Sequence, residues 1–328
     1  MIVVIRADSS SIVGSGHLMR CLTLAGQLKK QHNAEIYFIC RDLVGNLCHF
    51  VEAGGFKVLL LPRVEKNVSL SGYEAWLTVP EMVDANETYM VIEHLGKNVD
   101  RLVVDNYAIT AAWERKLRPL VKEIFVIDDL ANRPHDCDIL LDQNEYLDKE
   151  TRYNGLVPDK CKLLLGYKHV LLREEFYEAK KTLRKRDGRV KNILVFYGGS
   201  DSTNETMKAV KALSGIDLSG ITVNVIVGGA NVHKGDVADF CQKHEYFHYF
   251  CQVNNMAKMM AKADLALGAG GTTTWERLFL ELPSIVTVVA DNQEKIAEDC
   301  YRQGLIDYLG RAEHVDEKMI EKAILRQI

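Results

Sequence analysis

The sequence lacks the patterns by which several protein classes are recognised at once. It contains no Gly-x-x-x-x-Gly-Lys-Ser/Thr segment, which disfavours a P-loop kinase or ATPase. Its eight cysteines are scattered without a Cys-x-x-Cys pair, so they indicate reduced thiols of a cytoplasmic protein and not a disulfide framework or zinc site. No apolar run approaches the roughly 20 residues that cross a bilayer, and the first residues lead into a strand without a basic leader. We expect a cytoplasmic protein without a membrane span.

An excess of charge is also missing. The 328 residues carry a formal net charge of −4, so no general basic field attracts nucleic acid, and we expect a small-molecule partner and a monomer. The basic part of residues 173–191 lacks interleaved aromatic residues. We interpret it as a solvated connection near a boundary between two domains.

What the sequence does contain is an alternation of β-branched runs and amphipathic helical segments in both halves, which predicts an α/β fold with parallel sheets. The length suits two such domains, placed at 1–165 and 166–328. The predicted strands are 2–6, 36–40, 57–61, 101–105, 123–127, 139–142, 193–197, 222–227, 247–251, 265–267 and 284–289. The predicted helices are 17–32, 113–121, 203–213, 254–262, 274–280 and 292–303. Two facing domains would leave a cleft at the carboxyl ends of their strands, where ligands usually bind.

The most informative segment is Gly14-Ser15-Gly16-His17, at the turn from the first strand to the first helix. Glycines allow a tight turn and a close approach to a ligand, and a helix start favours a phosphate. A histidine there can move protons near neutral pH, although a cap or packing residue is the plainer interpretation. The third glycine of a dinucleotide fingerprint is absent, since Met19 stands in its place, and a nicotinamide enzyme is therefore disfavoured.

Two further loops stand between a predicted strand and a predicted helix. The first, 197–204, includes Gly199 and Ser200, which can cap the helix or donate to a phosphate. The second, 268–276, presents Gly270, Gly271 and three threonines, which can hold an anion. Glu276 can accept hydrogen bonds from the vicinal hydroxyls of a ribose, or it can serve only as a first-turn acid.

A His-Glu-x-x-His sequence at 244–248 matches the zinc-binding helix of metalloproteases. Its second half, Phe247–Cys251, is aromatic and β-prone, which predicts a strand. Because a strand would separate the two histidines, we expect no metal at this sequence. No other cofactor is expected.

The sequence resembles the UDP-sugar hydrolases of pseudaminic-acid synthesis and the related spore-coat polysaccharide proteins. The resemblance covers most of the chain and is weaker at 62–97 and beyond residue 309. It rests on the order of these segments: 6–8, 14–21, 104–107, 127–131 with 135–138, 166–167 with 171–176, 197–201, 270–276 and 290–293.

The resemblance implies a glycosyltransferase-like GT-B fold and hydrolysis of UDP-2,4-diacetamido-2,4,6-trideoxy-β-L-altropyranose to UDP and the free sugar, without a metal. It implies that His17 is the general base and that Tyr107 and Asn292 support the sugar. The residues implied to bind the remaining parts of the substrate are Asp8, Gly14, Gly16, Arg20, Gly199, Ser200, Gly270, Gly271, Thr272, Thr273, Glu276 and Gln293.

One histidine suffices for such a reaction because UDP leaves as a stable anion, whereas an ordinary glycosidase must protonate its leaving group. Attack by water on the face opposite UDP would invert the anomeric carbon. Two alternatives remain open from the sequence. The chain can be a GT-B glycosyltransferase with a hydroxyl acceptor, or a binding module for nucleotide sugars without catalysis.

Overall fold

The computed structural model describes residues 1–65 and 70–328. These residues form two compact units. Unit 1 comprises Met1–Asn144 and Asp148–Leu171, and unit 2 comprises Glu145–Leu147 and Leu172–Ile328. Each unit contains one parallel sheet covered by helices, as the alternating pattern of the sequence predicts.

The sheet of unit 1 has seven strands in its described residues, in the order β3-β2-β1-β4-β5-β6-β7. Its strands are β1 (Ile2–Ala7), β2 (Glu35–Arg41), β3 (Lys57–Leu61), β4 (Val99–Asp105), β5 (Val121–Ile127), β6 (Ile139–Asp142) and β7 (Lys162–Leu165). Its helices are α1 (Gly16–His32), α2 (Cys48–Ala53), α3 (Glu81–His94) and α4 (Ala111–Leu117), with short 3-10 turns at Gly72–Trp76, Arg118–Leu120 and Tyr167–His169.

The sheet of unit 2 has six strands in the order β10-β9-β8-β11-β12-β13. Its strands are β8 (Asn192–Phe196), β9 (Thr222–Val227), β10 (Phe247–Cys251), β11 (Leu265–Ala269), β12 (Ser284–Val288) and β13 (Asp307–Arg311). Its helices are α5 (Glu174–Lys181), α6 (Glu205–Ser214), α7 (Lys234–Gln242), α8 (Met256–Lys262), α9 (Thr273–Phe279), α10 (Asp291–Arg302) and α11 (Glu317–Leu325), with a 3-10 turn at Ala312–His314.

Strand β1 shows why each sheet is buried on both sides. Its side chains alternate, so that Val3 and Ile5 pack in one hydrophobic cluster with Leu18 of α1, whereas Val4 packs in the cluster on the opposite face with Trp113 of α4. A parallel sheet covered on both faces needs such continuous apolar strands. The short runs of Val, Ile and Leu therefore determine where a strand forms and that both of its faces are buried.

The same topology places two loops side by side in each unit. Strand β1 lies between β2 and β4, and β8 lies between β9 and β11, so the chain reverses its direction of travel across the sheet at these strands. Loops that leave the carboxyl ends of the two central strands flank this switch point, where α/β sheets bind ligands. In unit 1 these are the loops after β1 and β4, and in unit 2 the loops after β8 and β11.

Several elements differ from the sequence predictions. Helix α4 ends at Leu117, because Pro119 lies in a 3-10 turn and Val121 already begins β5. Strands β7 and β13 were not predicted. The basic stretch is more than a solvated connection, since Arg186 donates to the carbonyl oxygens of Met260, Ala263, Leu280 and Glu281 near the ends of α8 and α9.

Candidate functional site

His17 and Asp105 form a short hydrogen-bonded pair in unit 1. His17 lies in the first turn of α1, after a turn at Gly14 whose φ of +79° favours glycine. Its Nδ1 lies 2.6 Å from Oδ1 of Asp105, the fully buried last residue of β4. Because an ionised carboxylate can only accept, Nδ1 carries the hydrogen and Nε2 of the neutral ring keeps its lone pair. Nε2 is thus prepared to accept a proton.

Arg20 lies one turn further along α1 and holds this pair in place. Its Nε is 2.6 Å from Oδ2 of Asp105, and its Nη1 is 3.0 Å from Oδ2 of Asp129. Burial alone would raise the pKa of Asp105, but the charges of Arg20 and His17 keep that pKa far below its ordinary value. The sequence suggested Arg20 as a substrate contact. The structure shows a guanidinium that already binds two carboxylates.

Tyr107 stands over the histidine. Its ring centroid is 4.6 Å from that of His17 with the planes nearly perpendicular, and its hydroxyl donates to Oδ1 of Asp129. Trp76 contacts His17 on another edge, with ring centroids 5.5 Å apart. Asp105 and Tyr107 are part of one sequence motif, whereas Trp76 belongs to 62–97, where the family resemblance is weaker and residues 66–69 lie outside the described part.

Asp8 is held by polar partners within unit 1. It is fully buried after β1, where Oδ1 accepts from the backbone N–H of Arg41 at 2.7 Å and Oδ2 accepts from Nδ2 of Asn106 at 3.0 Å. Its Oδ1 also lies 2.6 Å from a guanidinium nitrogen of Arg6. Asp8 therefore links the ends of three central strands, and its contact with the substrate stays a prediction.

In unit 2, the loop after β8 is organised by Asp201. Its Oδ1 accepts from the backbone N–H of Glu205 at 2.9 Å and its Oδ2 from that of Thr206 at 3.0 Å, so the first amides of α6 are already bound. Asp201, and not Gly199 or Ser200, therefore binds the first amides of this helix, and the roles expected for Gly199 and Ser200 stay predictions. Gly199 and Ser200 remain exposed ahead of the cap.

The loop after β11 is held from below by a buried arginine. Arg277 donates through Nη2 to the carbonyl oxygen of Ala269 and to Oγ1 of Thr274, both at 2.9 Å. Burial lowers the pKa of Arg277 to about 10. A Cβ on Gly268 would lie 2.6 Å from Nη1 of Arg277, so glycine is required there. This arrangement fixes the backbone that leads to Gly270 and Thr273.

Helix α10 begins beside the same loop. Gln293 accepts from the backbone N–H of Val289 at 3.1 Å, and a Cβ on Gly270 would lie 3.3 Å from the Cβ of Gln293. Asn292, next to it, is exposed. Gln293 therefore packs beside Gly270 and binds the backbone at the end of β12.

Glu276 lies in α9, after the threonines. Its Oε1 is 3.3 Å from Nη2 of Arg173, a half-exposed side chain. Burial raises the pKa of Glu276 above its ordinary value, and the charge of Arg173 opposes that rise. A carboxylate held in this way keeps acceptor capacity for a further donor.

Unit 2 also contains a cavity of about 470 Å³ that sequence reasoning missed. Phe196, Ile226, Val253 and Met256 supply its apolar lining, and Gly199, Gly228 and Gly229 supply backbone. A Cβ on Gly228 would lie 2.1 Å from the carbonyl oxygen of Gly199, so the loops after β8 and β9 can touch here because residue 228 is glycine. In the sequence, the pair of glycines at 228 and 229, directly after the predicted strand 222–227, was the signal that could have indicated this cavity.

The His-Glu-x-x-His sequence does not form a zinc-binding helix. His244 follows α7 and its Nδ1 lies 2.8 Å from the carbonyl oxygen of Phe240, whereas His248 lies in β10, as predicted. Within residues 1–65 and 70–328, no group of three or more His, Cys, Asp or Glu side chains is arranged to hold a metal ion. None of the described helices combines the length and apolarity that crossing a membrane requires.

Comparison with known proteins follows these divisions. Residues 192–325 match the family "Glycosyltransferase family 28 C-terminal domain". A crystal structure of MurG from Acinetobacter baumannii superposes with a TM-score of 0.66 at 12% identity, covering 99% of this chain and 90% of that one. The chain therefore has the GT-B fold of two Rossmann-like domains.

Curated relatives are similar over almost the whole chain. The UDP-2,4-diacetamido-2,4,6-trideoxy-beta-L-altropyranose hydrolase of Campylobacter jejuni is 28% identical over 93% of this chain and 97% of its own length. The spore coat polysaccharide biosynthesis protein SpsG of Bacillus subtilis is 24% identical over 98% of this chain and 87% of its own length. An uncharacterised protein of Methanocaldococcus jannaschii is 26% identical over 92% of this chain, which spans only 57% of that relative. The predicted family resemblance is confirmed.

Proposed function

We propose that this protein hydrolyses a UDP-linked diacetamido sugar to UDP and the free sugar, for the synthesis of a nonulosonic acid or surface polysaccharide. The observation that carries the proposal is the His17–Asp105 pair, in which a buried carboxylate binds Nδ1 at 2.6 Å and leaves Nε2 as a base. Similarity to a hydrolase of this class over 93% of the chain supports the choice of substrate.

The reaction needs one proton acceptor. Nε2 of His17 takes a proton from water while the water oxygen forms a bond to the anomeric carbon. The bond from that carbon to the β-phosphate oxygen breaks, and its electron pair leaves with UDP. Asp105 stabilises the imidazolium that forms, and Arg20 keeps Asp105 ionised and oriented. Attack opposite the leaving group inverts the anomeric centre.

Unit 2 supplies the nucleotide site in this proposal. The backbone at Gly270 and Gly271 and the hydroxyls of Thr272 and Thr273 hold the diphosphate as negative charge develops on it. Glu276 accepts from the ribose hydroxyls. Asn292, at the start of α10, is a proposed support of the sugar, and Gln293 is a further proposed contact of the substrate.

The apolar cavity fits the remaining part of the nucleotide. Phe196 and Met256 offer surfaces against which a flat base can pack, and the glycine backbone around Gly228 allows close approach. We assign this cavity to the uracil ring. Gly199 is the residue of this lining that was already expected to bind the substrate.

A GT-B glycosyltransferase is the second candidate, favoured by the architecture that the chain shares with MurG. The two candidates differ in the acceptor. The test measures UDP release from UDP-linked amino sugars with and without added sugar or lipid acceptors, and follows the sugar by NMR. We expect release without an acceptor, an inverted first-formed anomer and no change of rate with a chelator.

An absolute requirement for an acceptor would establish the transferase instead. UDP affinity in calorimetry without turnover of any sugar nucleotide would indicate a binding module. Retention of the anomeric configuration would contradict direct attack by water activated at His17.

A further inference from the structure

Three aromatic side chains form a cluster beside His17, defined here as Tyr73, Trp76 and Tyr107. Ring centroids lie 5.0 Å apart for Tyr73 and Trp76, 5.1 Å for Tyr73 and Tyr107, and 5.3 Å for Trp76 and Tyr107. Both Trp76 and Tyr107 also contact the imidazole edge-on. The aromatic cluster therefore packs against the proposed base.

The surface of this cluster is apolar in a site otherwise built from charges. The Tyr107 hydroxyl already donates its hydrogen to Asp129, so Tyr107 offers a ligand its ring and an acceptor oxygen. Tyr73 is 41% exposed, and Trp76 and Tyr107 are only partly buried. Exposed aromatic side chains grouped at a functional site mark contact with an apolar group of a ligand.

We propose that the aromatic cluster selects the substrate by contacting the methyl of the acetamido group on the carbon next to the anomeric carbon. This inference rests on the proposed function. A water activated by Nε2 stands about 3–3.5 Å from the anomeric carbon. The Trp76 ring centroid is 5.5 Å from that of His17, so the ring can reach a substituent on the carbon next to the anomeric carbon.

A hydroxyl at that carbon would gain little from the faces of these rings. A methyl group gains dispersion and burial, and one carbon in an apolar pocket is worth about tenfold or more in kcat/KM. The aromatic cluster thus gives preference for an acetamido over a formamido substituent, two groups with the same hydrogen-bonding atoms that differ by the methyl alone.

The test compares UDP release from two substrates, the UDP-2,4-diacetamido-2,4,6-trideoxy sugar and its 2-formamido analogue. We expect the unaltered protein to prefer the acetamido substrate by about tenfold in kcat/KM. In Trp76→Ala this ratio falls towards one, and Trp76→Phe restores part of it. Tyr73→Ala, at a more exposed position, lowers the ratio less and guards against a folding defect in Trp76→Ala.

A matched control is Tyr301→Ala, which removes a half-exposed aromatic ring on α10 and leaves the ratio unchanged. A general disturbance of His17 would lower kcat/KM for both substrates equally, so an unaltered ratio in Trp76→Ala and Tyr73→Ala overturns the inference. A ratio near one in the unaltered protein overturns it while leaving the hydrolase proposal intact. No release from either substrate overturns the hydrolase proposal and this inference with it.

Discussion

The turn from the central strand to the following helix differs between the two units. After β1 the chain enters α1 without a side-chain cap at Ser15, and the first turn carries His17, which reaches Asp105 at the end of β4. After β8 the chain enters α6 with both carboxylate oxygens of Asp201 bound to the first amides. At one position in the topology, unit 1 therefore has a titratable ring and unit 2 has a closed cap.

The second loops at the switch points differ in the same sense. Strand β4 ends in Asp105 and leads to Tyr107, both hydrogen-bonded within a chain of charges. Strand β11 leads to Gly270 and Gly271, with bare backbone above a buried Arg277. The difference suggests that unit 1 determines the rate of the chemical step and unit 2 the affinity for the nucleotide.

The largest effect on turnover in this comparison is expected for Asp105→Asn. The amide offers Nδ1 of His17 a donor as well as an acceptor, so the ring loses the tautomer that leaves Nε2 unprotonated. We expect kcat to fall by about 10²–10⁴-fold with little change of KM. Steady-state kinetics measure both constants, and a thermal unfolding curve separates lost chemistry from lost folding. A raised KM at unchanged kcat would contradict the division between the units.

Gly228→Ala tests whether the cavity of unit 2 contributes to the affinity for the nucleotide. The added methyl would lie 2.1 Å from the carbonyl oxygen of Gly199, so the two loops must separate. We expect a loss of about 1–3 kcal/mol in the free energy of unfolding and a weakened affinity for UDP. Gly235→Ala is the matched control, because its methyl meets nothing within 4 Å and α7 gains a better helix former. Equal UDP affinity in both variants would remove the cavity from the nucleotide site.

Glu276→Gln tests whether Glu276 binds the ribose hydroxyls. We expect KM to rise by about tenfold at nearly unchanged kcat, since the lost contact is equal in ground and transition states. Burial raises the pKa of Glu276, so affinity for uridine, which carries no phosphate, should weaken on acidification at a higher pH than for an ordinary glutamate. Calorimetry with uridine checks this, and an identical pH profile in Glu276→Gln would count against a ribose contact.

The smallest expected effect concerns stability. Burial raises the pKa of Asp142, at the end of β6, to about 7, against the backbone N–H of Asn144 that lowers it. Between its ordinary pKa of about 3.9 and the folded value, the folded chain holds a proton that the unfolded chain releases. The contribution of Asp142 to stability therefore falls as pH rises through that window.

Replacement of Asp142 by Asn abolishes that titration. We expect the unfolding midpoint of Asp142→Asn to drop less between pH 5 and pH 8 than that of the unaltered protein. Parallel midpoints over this range would show that Asp142 is ionised in the folded state throughout.

Much of this arrangement could be read from the sequence, because parallel strands are short apolar runs and glycine turns mark the switch points. His17, the glycines of 270–271 and the strand at 247–251 came from such local signals. The side chains that pair with these residues could not be predicted from local signals. His135 also pairs with a carboxylate, Glu114, at 2.7 Å, yet its Nε2 is enclosed without a partner. His17 is also buried, at 7% exposure against 4% for His135, so only the packing of distant segments distinguishes the two histidines.

The same reason explains Asp8 and the apolar cavity. A buried aspartate after β1 is indistinguishable in sequence from one that faces a ligand, since its partners are distant in the chain: Arg41 ends β2 and Asn106 follows β4. The cavity combines residues from the ends of β8, β9 and β10, whose proximity follows from sheet order alone.

In the proposed reaction, Nε2 of His17 removes the proton from the attacking water. The most direct measurement is the first-turnover rate of UDP release in His17→Ala, compared with His32→Ala on the exposed end of the same helix. We expect His17→Ala to lose about 10²–10⁴-fold in rate while binding UDP normally, and His32→Ala to match the unaltered protein. A His17→Ala rate within a few-fold of the unaltered protein would contradict it.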